Sequence, residues 1–362
     1  MSLGHTAIPY LDRLWHPTTG CSRGCPTCWA RPLVRNRLAG TMKGLPQRSP
    51  GDCSVSSDKR IFAHCGPCPG LDGCSEAVDP FAPTFHSDRL TDPLHAKKPQ
   101  VIGVSFLGDL FDPGISDEQL LQVFDILRRN ENRDQPHSMI LLTKCAARLN
   151  SFLRRLRWCG SVPDGLLFLT AEPDDRPTVQ LPGVPLNQWG VPELAGHLGR
   201  LLAHVWVGVS VTDQPDADER LGLLVGAPAR RRWVSVEPMV GPIDLIHGHG
   251  TKAEAGRVLA QAADEPHTLL DCPRCQGTGY LQTDPFSVTC PGCGGRQLLV
   301  DLVVVGGESG PGARPFDDDW ARSLRDQCQS AGVAFYFKQR SGLHPEHEPE
   351  LDGVRHTALP WE

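Results

Sequence analysis

Val101-Ile-Gly-Val-Ser-Phe-Leu107-Gly-Asp109 decides how the chain folds. A short apolar run of this length reads as a buried strand. It ends in a glycine and a carboxylate, and Ser116 then opens an amphipathic stretch to Arg129 as a helix N-cap. Strand, polar junction and helix make one βα unit. The unit recurs along the chain. Ser138–Leu142 reads as a strand and Ala146–Arg157 as its helix, then Val205–Val211 as a strand and Asp216–Val225 as a helix. Arg232–Val236 is a further strand, Leu302–Val305 another with Asp317–Ser330 behind it, and Val333–Phe337 the last. Arg13–Trp15 supplies a first strand near the N-terminus.

Polar residues recur where these runs end: Gly108-Asp109, Thr143-Lys144, Ser210 with Thr212, Ser235 with Glu237, Gly306-Gly307-Glu308-Ser309, and Lys338-Gln339. In a parallel barrel all of them crowd around one mouth. A doubly wound open sheet also gathers polar residues at strand ends, and is the alternative. The expected fold is α/β, a partial parallel (β/α)6-type TIM barrel built from 1–45 and 95–342. Three segments break the rhythm: a Cys-rich insertion at 46–94, a Pro-rich one at 160–201 with an extra strand at Leu166–Thr170, and a zinc-ribbon-like one at 247–299. A tail, 343–362, follows.

The apolar content of 40% suffices for a buried core, and no apolar run is long enough to span a bilayer. The first residues lack the basic and apolar regions of a signal peptide, so a soluble cytoplasmic protein is expected. The net charge of −6 excludes a global basic field for nucleic acid but leaves room for local patches. Arg31, Arg35 and Arg37, then Arg154, Arg155 and Arg157, then Arg230–Arg232 are candidates, with a solvated face as the plainer reading of each.

Fourteen cysteines in a reducing compartment imply metal more readily than disulfides, and eleven of them fall into three groups. Cys21-Ser-Arg-Gly-Cys25-Pro-Thr-Cys28 is the tightest. Three thiolates can hold three irons of a 4Fe–4S cubane and leave the fourth iron open to a small molecule. A zinc knuckle completed by His16 is the alternative. Cys272, Cys275, Cys290 and Cys293 form two C-x2-C knuckles separated by 14 residues, a structural zinc signature that an iron–sulfur cluster would also satisfy. Cys275-Gln-Gly-Thr-Gly279 also resembles the repeat of DnaJ-type chaperones, over too short a stretch to transfer that activity. Cys53, Cys65, Cys68 and Cys74 suit zinc or an auxiliary iron–sulfur cluster, with His64 a spare ligand. Lys144, Glu237 and Lys338 at strand ends are candidate acids, bases or carboxylate clamps, and barrel-mouth salt bridges explain them as well. Cys145 is a candidate hydrogen-atom donor or a simply buried thiol.

Several segments together resemble one family: Trp15-His-Pro-Thr-Thr-Gly-Cys21, Cys25-Pro-Thr-Cys28-Trp-Ala, Ser105-Phe-Leu-Gly-Asp-Leu-Phe111, Leu142-Thr-Lys144, Val207-Gly-Val-Ser210, Val236-Glu-Pro238, Gly306-Gly-Glu-Ser-Gly310 and Phe337-Lys-Gln339. They are similar to the phage-associated three-Cys-motif family, a domain of unknown function grouped with radical S-adenosylmethionine (SAM) proteins. The likeness spans 15–45 and 80–340 and departs at Trp29, where the family has Tyr, and at Cys145, where it has Arg. The resemblance implies that the cluster on Cys21, Cys25 and Cys28 chelates SAM and reduces it to a 5′-deoxyadenosyl radical. Gly108 and Asp109 would then grip SAM, although the family-type Gly-Gly-Glu is reduced here to Gly-Asp. The literal Gly306-Gly307-Glu308, with Ser309, would meet substrate or the SAM ribose, and Ser210, Glu237 and Glu308 would line the site. The implied partners are DNA and an electron donor such as flavodoxin or ferredoxin. The implied reaction is isomerisation of an N-linked glycyl-thymidine to a C-linked form in phage DNA, in the host cytoplasm. A DNA photoproduct lyase, another nucleoside-modifying radical SAM enzyme and a non-catalytic zinc-rich nucleic-acid-binding module are the rivals.

Overall fold

The computed structural model describes residues 3–26, 28–34, 79, 81–159, 166–170, 177–179, 202–245, 280–283, 286–289 and 300–361. In chain order the elements begin with β1 (Arg13–Trp15), β2 (Thr18–Thr19), α1 (Ala30–Leu33), β3 (Thr84–Phe85) and α2 (Asp92–His95). They continue with β4 (Val101–Val104), α3 (Asp117–Glu131), β5 (Ser138–Thr143), α4 (Ala146–Arg155), β6 (Leu156–Cys159), β7 (Leu166–Thr170) and β8 (Pro177–Val179). After these come β9 (Val205–Val211), α5 (Gln214–Gly226), β10 (Arg231–Val236), β11 (Tyr280–Thr283), β12 (Phe286–Thr289), β13 (Leu302–Gly306), α6 (Asp318–Ala331) and β14 (Ala334–Gln339).

Seven of the strands form one parallel sheet in the order β1-β4-β5-β9-β10-β13-β14. That order never reverses, so the sheet has no topological switch point, and the doubly wound alternative is excluded. Right-handed crossovers in unbroken order lay the helices on one face, and the sheet curls into a half-barrel. Side chains alternate accordingly. In β9, Val205, Val207, Val209 and Val211 pack with the helices, whereas Trp206 joins Tyr10, Leu14, Ile140, Trp233, Leu302, Val304 and Tyr336 in a second core on the concave face.

Local chemistry explains where the elements stop. The run from Val101 reads as a strand to Leu107, but β4 ends at Val104, because Ser105 takes φ 58 and donates its N–H to Trp15 O at 2.8 Å. Ser116 caps α3 as expected, in a reciprocal box with Gln119. The helix expected to reach Arg157 ends at Arg155, where Leu156 turns extended and pairs with Leu169. Leu166–Thr170 is a strand, in the separate antiparallel sheet β6-β7-β8. Residues 81–94, at the end of the 46–94 segment, pack onto the barrel: Phe81 is buried, and Trp15 Nε1 donates to Arg89 O at 2.8 Å.

Both sheet edges are covered in antiparallel fashion, β1 by Gly4 opposite Leu14 and β14 by the tail, where Tyr336 bridges Thr357. The tail continues to the opposite end of the barrel and sets the Trp361 ring 4.7 Å from that of Trp206. Between the two knuckles of the 247–299 segment, β11 and β12 form an antiparallel hairpin with Tyr280 opposite Thr289. Cys53, Cys65, Cys68, Cys74, Cys272, Cys275, Cys290 and Cys293 lie outside the described residues. Among those described, no helix is long and apolar enough to cross a membrane.

The concave core is tightest at Gly208, where a Cβ would lie 2.3 Å from the buried Trp233 Nε1. That indole is itself fixed by donation to Leu141 O at 2.9 Å. Gly208→Ala should therefore lower unfolding stability by about 1–3 kcal/mol through overpacking, measured by urea denaturation.

Candidate functional site

The mouth of the half-barrel carries two polar constellations. The first surrounds the cysteine loop, which leaves β2 at Gly20. Gly20 and Gly108 touch backbone to backbone, and a Cβ on Gly108 would lie 2.3 Å from Gly20 O. This approach ties the loop to the turn after β4 and requires glycine at 108, while Gly20 is required by its φ of 78 and by Ala82 O, 2.1 Å from where its Cβ would lie.

Asp112 then fastens the loop from beneath. Its fully buried carboxylate accepts from Ser22 N at 2.7 Å and Ser22 Oγ at 2.9 Å through Oδ2, and from Gly114 N at 2.9 Å through Oδ1. Hydrogen bonds to a charged acceptor contribute about 1.5–3 kcal/mol each, so this tether is strong for a surface loop. Arg31 clamps the loop from the other side, donating to Cys21 O at 3.0 Å and Arg23 O at 3.3 Å while pairing with Asp79 at 3.0 Å.

Cys21, Cys25 and Cys28 are all partly exposed on this loop, and Cys21 and Cys28 pack against Ala30, Val34 and Phe81. Backbone N–H groups point at two of the sulfurs, Arg23 N to Cys21 Sγ at 3.3 Å and Arg31 N to Cys28 Sγ at 3.4 Å. Burial pushes the Cys21 thiol up to about 12. Among the described residues, no three His, Cys, Asp or Glu side chains converge on a common centre. The all-thiol donor set and the N–H···S contacts fit a thiolate-bound cluster. His16, the alternative fourth ligand, is half-buried with Nδ1 unpartnered among the described residues, and its pKa is lowered to about 4 by desolvation and then by Arg89 and His86 beside it.

Asp109, Lys144 and Cys145 join this corner. Asp109 Oδ1 accepts from Thr143 Oγ1 at 2.6 Å and Phe111 N at 3.0 Å, and Oδ2 from Lys144 N at 2.9 Å. Burial raises its pKa against those three hydrogen bonds. The carboxylate thus faces the end of β5 and shapes the turn that carries Lys144 and Cys145. Arg23 NH1 reaches Lys144 O at 3.2 Å and Cys145 Sγ at 3.9 Å, and its charge also acts on Cys25. Burial pushes Cys145 up to about 12.

The second constellation lies on the concave face at the ends of β10 and β14. Glu237 accepts from Lys338 Nζ at 2.6 Å, Tyr10 Oη at 3.1 Å and Ser235 Oγ at 3.0 Å. Ser210 Oγ donates to Glu237 O at 3.3 Å. Tyr10 is raised well above its ordinary pKa by burial, then by the charge of Glu237. Gly306 leaves the space this carboxylate occupies, since a Cβ there would lie 2.9 Å from Glu237 Oε1.

Glu308 and exposed Ser309 stand apart on the rim. Glu308 Oε2 accepts from Arg314 N at 3.0 Å and Nε at 2.9 Å, contacts that outweigh its burial and hold its pKa below the usual value. Gly306 O accepts from Met239 N, Gly307 N donates to Gln339 O, and Gly307 O accepts from Gln339 Nε2, so this motif also ties the end of β13 to the end of β14.

Sequence reading missed Asp112, Arg23, Arg31, Tyr10 and Ser235 as members of these groups, although Ser235 had been noted at its strand end. Tyr10 and Asp112 sit in loops without periodicity, where only the fold reveals their partners. Of the basic patches, Arg35 and Arg37 lie outside the described residues. Arg31 is consumed by the cysteine loop, Arg155 pairs with Asp117 at 2.8 Å, and Arg231 starts β10 at the opposite end of the barrel.

A family model described as "Protein of unknown function (DUF5131)" matches residues 5–360. No curated protein and no solved structure matches the chain.

Asp112→Ala should free the cysteine loop while leaving the barrel folded. The expected result is faster alkylation of Cys21, Cys25 and Cys28 by iodoacetamide, read by peptide mass spectrometry, with an unchanged far-ultraviolet circular dichroism spectrum. Equal alkylation rates in both proteins would show that the tether does not hold the loop.

Proposed function

The chain belongs to the DUF5131 family over nearly its whole length, and we propose that it is a radical SAM enzyme whose 4Fe–4S cluster is held by Cys21, Cys25 and Cys28. The observation that carries this reading is a thiol-only donor set on a loop fastened to a parallel half-barrel's mouth by Asp112, with N–H groups directed at Cys21 and Cys28. Zinc completed by His16, whose Nδ1 has no partner among the described residues, is the second reading. Bound there, the cluster would supply the electron for reductive cleavage of SAM.

The chain's own residues do the rest by placement. Arg23 and Arg31 bring positive charge to the thiolates; Arg31 holds the loop's carbonyls, and Arg23 ties the loop to Lys144 O after β5. The Gly20–Gly108 contact seats the cysteine loop directly against the turn that follows β4. Asp109 acts as a positioning residue for the Thr143–Cys145 turn, with Cys145 and Lys144 facing the same corner. The Glu237–Lys338 pair is the proposed seat for charged groups of the substrate, Glu237 meeting an ammonium and Lys338 a carboxylate. Ser210 supports Glu237 from the neighbouring strand, and Glu308 and Ser309 border the mouth. Zinc on Cys272, Cys275, Cys290 and Cys293, and zinc or a second cluster on Cys53, Cys65, Cys68 and Cys74, remain proposals from spacing.

For the substrate, the resemblance favours a modified thymine in DNA, an N-linked glycyl-thymidine isomerised to a C-linked form. A base in a duplex would have to leave the stack to reach the mouth.

Anaerobic reconstitution with iron and sulfide should give a brown protein that forms 5′-deoxyadenosine from SAM under a reductant. A colourless protein holding only zinc would reject the assignment. Asp109→Ala should weaken SAM binding about tenfold with cluster content unchanged, as expected for loss of a hydrogen-bonded positioning carboxylate. Loss of cluster with SAM affinity retained would reverse its role. Glycyl-thymidine DNA should yield a nucleoside of equal mass and altered retention; turnover of the free nucleoside alone would reject the polymer.

A further inference from the structure

The opposite end of the barrel holds a cleft of about 310 Å³ lined by Ser138, His204, Trp206, Arg230, Arg231 and Trp361. It is formed where the tail crosses the starts of β5, β9 and β10, so it shares no residue with the mouth. Its walls combine two features that seldom meet by chance on a surface of net negative charge.

The first feature is aromatic. Trp206 and Trp361 meet edge to face at 78°, and the Arg231 guanidinium lies 5.4 Å over the Trp206 ring. The Trp361 indole N–H is buried and has no acceptor among the described residues. The Trp361 ring nevertheless borders the cleft and offers its indole surface to a flat ligand.

The second feature is positive charge. Arg230 is exposed and makes no salt bridge among the described residues, whereas Arg231 has only a distant contact with Asp301 at 3.9 Å. His204 stands beside them, its backbone N–H donating to Glu131 at 2.8 Å and its Nε2 lying 3.8 Å from the same carboxyl. Burial pushes Glu131, the neighbouring carboxyl, up to about 7, against the His204 hydrogen bond and the charge of Arg230.

We propose that this cleft binds a nucleoside 5′-phosphate, its base against the Trp361 indole and its phosphate on Arg230 and Arg231. Paired arginines suit a phosphate's several oxygens, and an indole face accepts any base. The ligand is either a free mononucleotide or the 5′-phosphorylated end of a single strand, which present the same chemistry. The cleft's position, away from the mouth, makes the assignment independent of the reaction proposed there.

Titration of the full chain by calorimetry and tryptophan fluorescence tests it, with AMP, adenosine, inorganic phosphate and a 5′-phosphorylated oligothymidylate as probes. AMP should bind about tenfold more tightly than adenosine or phosphate alone, the difference expected from charge-assisted hydrogen bonds added to stacking. Arg230→Gln with Arg231→Gln, and separately Trp361→Leu, should each abolish that advantage while the far-ultraviolet circular dichroism spectrum shows the variants folded. Stronger binding of the oligothymidylate would identify a strand end, and binding of AMP alone a free nucleotide. AMP binding no better than phosphate, no binding by any probe, or AMP affinity unchanged in both variants would overturn the proposal. Should the double arginine variant fail to fold, Arg230→Gln alone, at an exposed position, carries the same expectation.

Discussion

Parallel strands laid down in strict chain order oblige every connection to travel back over the same face, because a right-twisted strand feeding a helix can return to the sheet in only one hand. The helices consequently take one side of this sheet and the aromatic core of Tyr10, Trp206, Trp233 and Tyr336 takes the other. The same constraint brings every strand's C-terminal end to one rim. Gly108, Lys144, Ser210, Glu237 and Lys338 reach a common mouth for that reason, from positions spread over more than half of the chain.

Buried carboxylates then fix what the topology gathers. Asp112, Asp109 and Glu237 each accept three side-chain or backbone hydrogen bonds, and each joins segments distant in sequence. Burying such a charge is costly unless its lone pairs are satisfied, and once they are, breaking any single contact exposes that cost. The two corners of the mouth differ in kind. Around the cysteine loop the anions bind mainly backbone and neutral hydroxyl groups and so determine shape, whereas Glu237 faces the ammonium of Lys338 directly.

Much of this architecture was legible in the sequence because it obeys period and punctuation. The apolar runs at Val205–Val211 and Leu302–Val305 are strands, and Ser116 is the helix cap its pattern announces. The run from Val101 misled only beyond Val104, since the left-handed turn at Ser105 depends on a bond to Trp15 that no local pattern records. The choice between barrel and open sheet was not legible, because it resides in strand order. In the site, Glu237 and Lys338 stood out as polar residues ending apolar runs, yet their pairing is a contact across 101 positions. Asp112 and Tyr10 were illegible for a related reason: each sits outside the periodic elements, and its meaning lies in a partner supplied by another segment.

The sheet's register also bears on how the chain tolerates its long intervening segments. Thr143 at the end of β5 is followed in the sheet by β9, which begins at Val205, and β10, ending at Val236, by β13 from Leu302; both pairs bond directly, residue to residue. Closing a loop of such length costs little more than closing one of half its size, about 0.6 kcal/mol per doubling. These seams are therefore natural ports of entry, where an architecture of this kind can acquire or shed whole modules over evolutionary time without shifting a single ladder bond.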